Sequence, residues 1–303
     1  MKREILRQTL AKELLALSLG EQIPTIRYFA DLHKSSVGTI QSILAEFEES
    51  GAVEIERRGW MGTYLHSKNL GQLWSIARNG NPLVIAFPLP STRICEGLAT
   101  GVKELLSQNQ IETFLIFLRG SRNRLQALRQ GRCHAIVVSS FTAHEMCSPG
   151  ERIVLELPPK TYVQEHRVFY SDDPAKWGNR RLRVAMDRSS TDIQRLTELE
   201  FEGEAVDYIP TTYMRYAQML KQRQVDALIW DIDETHIRLG SEAPSRPLSD
   251  RVLNKIKGKN TQASFIAASD DLTTPAILLG SLKIDELLRI QKAVMDGKRV
   301  PEY

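Results

Sequence analysis

The sequence predicts an α/β protein in two parts: a short helical N-terminal region closed by a β-hairpin, then two α/β lobes in tandem. Three observations predict it. Residues 23–65 hold two short helical patterns followed by two short alternating segments around a basic turn. From Pro82 onward, apolar runs of strand length alternate with amphipathic helical patterns, the signature of a parallel sheet. That alternation occurs twice and carries a weak internal repeat. Leu125–Val137 (LQALRQGRCHAIV) aligns with Ala217–Ile229 (AQMLKQRQVDALI), with four identities in thirteen, and both segments join a helix to the strand after it.

The N-terminal elements follow from local patterns. Ile5, Leu6, Leu10, Leu14, Leu15 and Leu17 have the spacing of an amphipathic helix. Pro24 suits a first helical position, since its φ is fixed and it lacks an N–H. Ile26, Phe29 and Ala30 fall on one face of a short helix. After a break at 32–35, Ser36 is a plausible N-cap for a second helix with Val37, Ile40, Ile43, Leu44 and Phe47 as its apolar face. Gly51 stops it. Ala52 to Glu56 alternates as a strand, Arg57-Arg58-Gly59 makes a basic turn, and Gly62 to Leu65 returns as the second strand.

This is the layout of a winged helix-turn-helix over residues 1–66, and it resembles the DNA-binding domain of GntR-type bacterial transcription regulators. The resemblance implies that the second helix enters the major groove and the hairpin wing touches the DNA backbone. The candidate DNA contacts are then Thr25, Arg27, Ser35, Ser36, Gly38, Thr39, Gln41, Arg57, Arg58, Gly59 and Thr63. Gln41 can pair with adenine through its amide, while Arg27, Arg57 and Arg58 suit phosphates, which give affinity without sequence choice. Three features depart from the family pattern. Val37 stands where an arginine usually follows the serine, the usual glycine before Ser35 is missing, and His33 takes the apolar position there. Residues 1–68 hold nine Lys/Arg and nine Asp/Glu, with the acids at 46, 48, 49, 54 and 56 away from the expected groove face. A domain of that charge implies weak non-specific DNA binding and a modest salt slope.

The chain of 303 residues is long enough for two or three domains with their own cores. Its 42% hydrophobic and 25% charged content is ordinary for a globular protein. The net charge of +3 is too small to argue polyanion binding by itself. No apolar run reaches the ~18 residues of a membrane helix, and the charged N-terminus does not read as a signal peptide. Cys95, Cys133 and Cys147 form no metal spacing or disulfide framework, which points to a reducing compartment, the cytoplasm.

Residues 67–81 read as a linker, in which Leu70, Leu73, Trp74 and Ala77 share a helical face. From 82 to 303 the pattern is strand, helix, strand, helix, strand, then a second series near Arg181 whose lobe spans about 181–255. Phe265 to Ser269 (FIAAS) is the strand expected to return to the first lobe, and a last helix is expected near Lys283 to Met295. The two lobes resemble the type 2 periplasmic-binding-protein fold, and with the winged helix they resemble the YhfZ-like group of regulators. That implies an effector site in the cleft between the lobes.

In parallel α/β lobes, ligands bind beyond the carboxyl ends of the strands. Those positions are Ser91, Thr92 and Arg93, then Arg119, Gly120 and Ser121, then Ser139 in the first lobe. In the second they are Arg188, Ser189, Ser190 and Thr191, then Thr212, then Asp231. Hydroxyls and arginines at helix N-termini favour anions, and Arg119 and Arg188 are each suited to a carboxylate or phosphate. The expected effector is a small anion, with Asp231 adding selectivity for an amine or hydroxyl. Catalysis is the competing class. Asp231, Asp233, Glu234 and His236 suggest a Mg²⁺-type carboxylate set, and His144, Glu145 and Cys147 cluster in a loop. Neither has a specific spacing, and there is no nucleophile elbow, Walker loop or dinucleotide fingerprint. A degenerate winged helix serving protein contacts is the third alternative. The expectation is a non-enzymatic homodimeric regulator without cofactor or metal, whose partners are an inverted-repeat operator and a small effector.

Overall fold

The computed structural model describes residues 2–174, 180–239, 244–268 and 273–303. The chain divides into two compact units. One holds Met1–Val84, Lys103–Phe114 and Asp271–Leu282; the other holds Ile85–Val102, Leu115–Asp270 and Lys283–Tyr303.

In the first unit, α1 (Lys2–Ala16) buries Leu6, Leu10, Ala11, Leu14 and Leu15, and leaves Ile5 57% exposed. The Lys68 ammonium donates to the carbonyls of Leu15 and Leu17 at 2.6 Å each, placing a cation at the negative end of the helix. α2 (Ile26–Leu32) starts two residues later than Pro24 suggests. Thr25 is the N-cap because its hydroxyl accepts the orphan Tyr28 N–H at 3.1 Å, which Ile23, the cap of a helix starting at Pro24, cannot do. α2 ends in a Schellman turn, with Lys34 left-handed at φ 50° and Ser35 N–H donating to the Ala30 carbonyl. α3 (Val37–Glu49) is capped by Ser36, whose hydroxyl accepts from Thr39 N–H. It buries Ile40, Ile43, Leu44 and Phe47. Val37, expected on that face, is 44% exposed, because it begins the helix and core contact starts one turn later at Ile40.

β1 (Val53–Arg57) and β2 (Thr63–Lys68) pair antiparallel, with Arg57 opposite Thr63. On the other side of β2 the chain from Gly20 to Ile23 adds backbone hydrogen bonds at Thr63 and Leu65. α4 (Leu70–Ala77) lies inside the expected linker. It is capped by Asn69, and its Leu73 and Ala77 join the same core as α1–α3. Ile277, from the later helix Thr273–Gly280, packs partly buried against that core.

The other elements build two five-stranded sheets. β3 (Leu83–Phe87), α5 (Arg93–Gln108), β4 (Thr113–Phe117), α6 (Ser121–Arg129), β5 (Ala135–Ser139), α7 (Ser140–Met146) and β6 (Glu151–Glu156) come first. Next are β7 (His166–Tyr170), β8 (Leu182–Met186), α8 (Thr191–Glu200), β9 (Val206–Pro210), α9 (Tyr216–Lys221) and β10 (Ala227–Asp231). They are followed by α10 (Ile232–Leu239), β11 (Ser245–Pro247), α11 (Asp250–Ile256), β12 (Ala263–Ala268), α12 (Thr273–Gly280) and α13 (Ile284–Met295). Strand order is β4-β3-β5-β12-β6 in the first sheet and β9-β8-β10-β7-β11 in the second. Each sheet thus has a parallel central pair, β3 with β5 and β8 with β10, followed by an antiparallel strand, β12 or β7. β12 is the expected returning strand; Ser269, at its expected end, lies outside the described residues. β7 enters the second sheet from upstream of residue 181.

The internal repeat is also visible in the backbone. Gly131 and Arg223, equivalent in the alignment, are both left-handed, at φ 66° and 51°. Each closes the same turn, with Arg132 N–H donating to the Ala127 carbonyl and Gln224 N–H to the Met219 carbonyl, both at 2.9 Å. Alternate residues of β10 serve two layers. Ala227 and Ile229 pack with Leu196 and Val252, while Leu228 and Trp230 pack with Tyr216 and Met219.

Candidate functional site

Two surfaces contain the candidate residues, one in each unit. On the first unit, Ser36, Gly38 and Gln41 are exposed along α3, and Ser35 and Thr39 are half-exposed. Ser36 and Thr39 hydroxyls bond each other at 2.7 Å, and Thr25 is engaged as the α2 cap. Arg27 is exposed and has no carboxylate partner among the described residues. The wing arginines differ. Arg57 donates to both carboxylate oxygens of Glu48, and Arg58 donates to Glu56 at 2.7 Å while lying over the Tyr64 ring at 4.4 Å. Gly59 begins the single 3₁₀ turn at the wing tip, where Trp60 is 95% exposed. Thr63 is half-buried in the ladder. Sequence patterning passed over Trp60, although an indole at the tip of a hairpin has nothing to pack against.

In the second unit a cavity of about 100 Å³ lies between the two sheets' lobes. Six expected residues line it: Ser91, Thr92, Gly120, Ser121, Ser190 and Asp231. Arg93, Arg119, Ser139, Arg188, Ser189, Thr191 and Thr212 do not. Arg93 points to Glu96 at 3.7 Å, and Arg188 is exposed. Several of the others instead tie the lobes together. Arg119 donates to Asp187 and to Ser189 Oγ, both at 3.1 Å. Ser139 Oγ donates to Asp192 at 2.5 Å, and Thr191 N–H donates to Ser121 Oγ at 2.9 Å. Gly120 allows the closest approach: its φ is 78°, and a Cβ there would lie 2.6 Å from Ser189 Oγ. These hydrogen bonds cross between the two lobes at the strand-end loops.

The cavity's charged groups come mostly from positions that the strand-end rule does not reach. Arg124, on the inner face of α6, is 2% exposed. Its Nε donates to the Val137 carbonyl, Nη1 to the Leu118 carbonyl and Nη2 to Tyr162 Oη, at 2.8–3.1 Å. These bonds use three of the five N–H donors of a guanidinium, and no carboxylate pairs with it among the described residues. Arg124 shares a helical face with Leu128 at i+4, so the periodicity of SRNRLQALR marks it as a charge on a buried stripe.

Three carboxyls line the same cavity, and Asp192 is close enough to Arg124 for their charges to act on each other. Burial pushes Asp192 up to about 6 and Asp231 up to about 7, in each case against the hydrogen bonds they accept. Burial also raises Glu234, whose partners are Arg238 at 2.8 Å and Ser91 Oγ at 3.3 Å. Asp231 caps α10 by accepting Glu234 N–H at 2.7 Å. His166, buried at the cavity wall, is pushed down to about 4 and is therefore neutral. Its Nδ1 faces Asn260 Nδ2 at 3.0 Å, so with that amide nitrogen donating, Nε2 carries the proton. Burial raises the Cys95 thiol and the Tyr162 phenol to about 12, which keeps both protonated.

The comparisons with known proteins agree with this architecture. Residues 18–65 match a helix-turn-helix domain, and residues 69–303 match the YhfZ C-terminal domain. The chain belongs to the YhfZ family. It is 33% identical over 307 residues to YhfZ of Escherichia coli (strain K12), covering 100% of this chain and 98% of that one. The crystal structure of YhfZ from Shigella flexneri aligns with a TM-score of 0.62 at 30% identity, over 78% of this chain and 98% of that chain. The periplasmic aliphatic sulphonate binding protein SsuA from Escherichia coli aligns at 0.52 with 17% identity, over 72% of this chain and 75% of that chain. The substrate binding protein of a methionine transporter from Streptococcus pneumoniae aligns at 0.51 with 12% identity, over 73% and 96%. The second unit therefore has the fold of periplasmic binding proteins. No described helix is long and apolar enough to cross a membrane. No group of three or more His, Cys, Asp or Glu suited to a metal occurs among the described residues; the side chain of His236 lies outside them.

Proposed function

We propose that this protein is a cytoplasmic, sequence-specific DNA-binding transcription regulator whose two-lobed domain binds a small effector bearing an acidic group. The observation that carries the effector half is Arg124. A buried guanidinium with no carboxylate bonded to it, only Asp192 acting on it through space, is costly unless something anionic completes it, and it lines the cavity between the lobes. The DNA half is supported by the exposed polar edge of α3 and the matched helix-turn-helix domain.

On this reading Gln41 and Thr39 read base edges, Val37 offers an apolar contact to a thymine methyl group, and Arg27 holds a phosphate. The protein acts as a homodimer on an inverted repeat, with half-sites about one helical turn apart. It is not an enzyme. The cavity's hydroxyls and carboxyls serve recognition, and its thiol and phenol are held protonated. Effector binding stabilises the closed lobes, and DNA affinity changes by the same coupling free energy.

Thermal denaturation of the full chain against a library of small acids tests the effector half. Stabilisation by a subset of them, absent in Arg124→Met, is the expected result. No stabilisation by any acid contradicts it.

A further inference from the structure

A second concavity, of about 570 Å³, opens on the first unit between the start of α1 and the α2–α3 turn. Lys2 and Arg3 line it from α1, and His33, Lys34, Ser35 and Thr39 line it from the turn and α3. Its lining holds two lysines, an arginine and a histidine, and no acidic residue. Two of these are engaged within the chain. Arg3 donates to Glu46, and His33 Nε2 lies 2.9 Å from Glu13 Oε1. Lys2 and Lys34 are exposed and have no carboxylate partner among the described residues. Lys34 is also costly in conformation. It is left-handed at φ 50°, where a glycine would carry no Cβ strain. Its exposed side chain gains no packing in return. Lys160 and Lys257 hold left-handed backbone too, so strain by itself marks nothing. Position separates Lys34 from them: it shares its concavity with Ser35 and Thr39, on the polar edge of α3 proposed to face the bases.

We propose that this concavity holds one strand of the DNA backbone, with Lys34 and Lys2 holding its phosphates from the turn and from α1. The inference rests on the first unit binding DNA, and it extends the contacts beyond α3, Arg27 and the wing. A helix seated in the major groove has phosphates along both edges, and the turn before it lies at one of them. Lys34 stands in that turn, two residues before the Ser36 cap. Charge decides the occupant: the two cations left free by the chain's own carboxylates gather in a space without an acid, which suits a polyanion running through it. An ammonium is a point charge on a flexible stem rather than a planar fork. These contacts therefore add affinity and orientation without base preference.

The test titrates a labelled DNA duplex of mixed sequence with the full-length protein over a series of salt concentrations, read by fluorescence anisotropy. The wild type is expected to bind at low salt. Lys34→Gly and Lys2→Gln are each expected to lower the slope of log affinity against log salt by about one, and the double variant by about two. Lys34→Arg keeps the charge and should keep the slope. Lys34→Gly relieves the strained turn, so the contact is lost without loss of stability, and urea denaturation of that variant should give a midpoint no lower than the wild type. Lys34→Gln, which keeps a side chain on the turn, should lose the same slope. Lys257→Gly removes an equal charge from a left-handed residue of the second unit and is expected to leave the slope unchanged. If the wild type binds and either the Lys34 or the Lys2 variants keep its slope, or if Lys257→Gly lowers it equally, the inference is overturned while the DNA-binding reading stands. If the folded wild type does not bind the duplex at low salt, the inference and that reading both fall.

Discussion

At the residue scale, burial determines what each charge can do. Arg119 and Arg188 follow strand ends and were the natural anion anchors, yet one is spent on Asp187 and the other is exposed. Arg124 holds the interior instead, because α6 turns it toward the core with Leu128. Asp231 gives a pH prediction. Its folded pKa of about 7 lies above the ordinary 3.8, so the folded chain holds a proton that the unfolded chain releases. Its contribution is fully present below about pH 4 and is lost as the pH rises through 7. Asp231→Asn should therefore raise the melting temperature relative to wild type at pH 8, with the gain shrinking by pH 5, as thermal denaturation at the two pH values will read. Equal gains at both would sink this assignment. Lys34 gives a second prediction. It holds a left-handed turn at φ 50°, where its Cβ is strained. Lys34→Gly should stabilise the protein by about 0.5–1 kcal/mol, measurable by urea denaturation of the full chain; a loss of stability is the contrary result.

At the element scale, much of the fold was legible from the sequence and much of the cavity was not. Helices α1 to α3, the wing and the returning strand follow from local periodicity, caps and turn residues, all of which are encoded within a few positions. The start of α2 moved from Pro24 to Ile26 because the Thr25 hydroxyl can cap the helix, whereas Ile23, the cap that a start at Pro24 would need, has no side-chain acceptor. β7 was not legible because a strand lent across lobes is set by tertiary exchange rather than by its neighbours in sequence. The cavity was half legible: strand ends mark its rim, but its charged lining comes from the inner faces of α6 and α8 and from the Tyr162–His166 segment. The β4–α6 turn supports a prediction at this scale. Gly120→Ala puts a Cβ within 2.6 Å of Ser189 Oγ and 2.7 Å of its carbonyl oxygen, in a backbone conformation alanine resists. It should weaken ligand binding by roughly tenfold or more through the contact between lobes that it disfavours, while far-ultraviolet circular dichroism stays unchanged; unaltered affinity would show that this contact does not control binding. The wing supports another. Its arginines are already paired with Glu48 and Glu56, so the unpaired Arg27 should dominate phosphate contact. Arg27→Ala should weaken DNA binding across sequences and lower the salt slope by about 1, whereas an unchanged slope would remove Arg27 from the interface.

At the scale of the whole molecule, the proposed function couples DNA binding and effector binding within one chain. The chain that completes the first sheet as β12 continues to α12, whose Ile277 packs in the helix-turn-helix core. Linkage requires that an effector which changes DNA affinity be itself bound with an affinity changed by the same factor when DNA is present. Regulation under this proposal begins with recognition of DNA by the helix-turn-helix. The most direct test is selection of genomic fragments by the purified protein, with Arg27→Ala alongside. The account predicts that the wild type enriches an inverted repeat with half-sites about one helical turn apart, and that Arg27→Ala enriches it far less. Failure of the folded wild-type protein to enrich any sequence would contradict it.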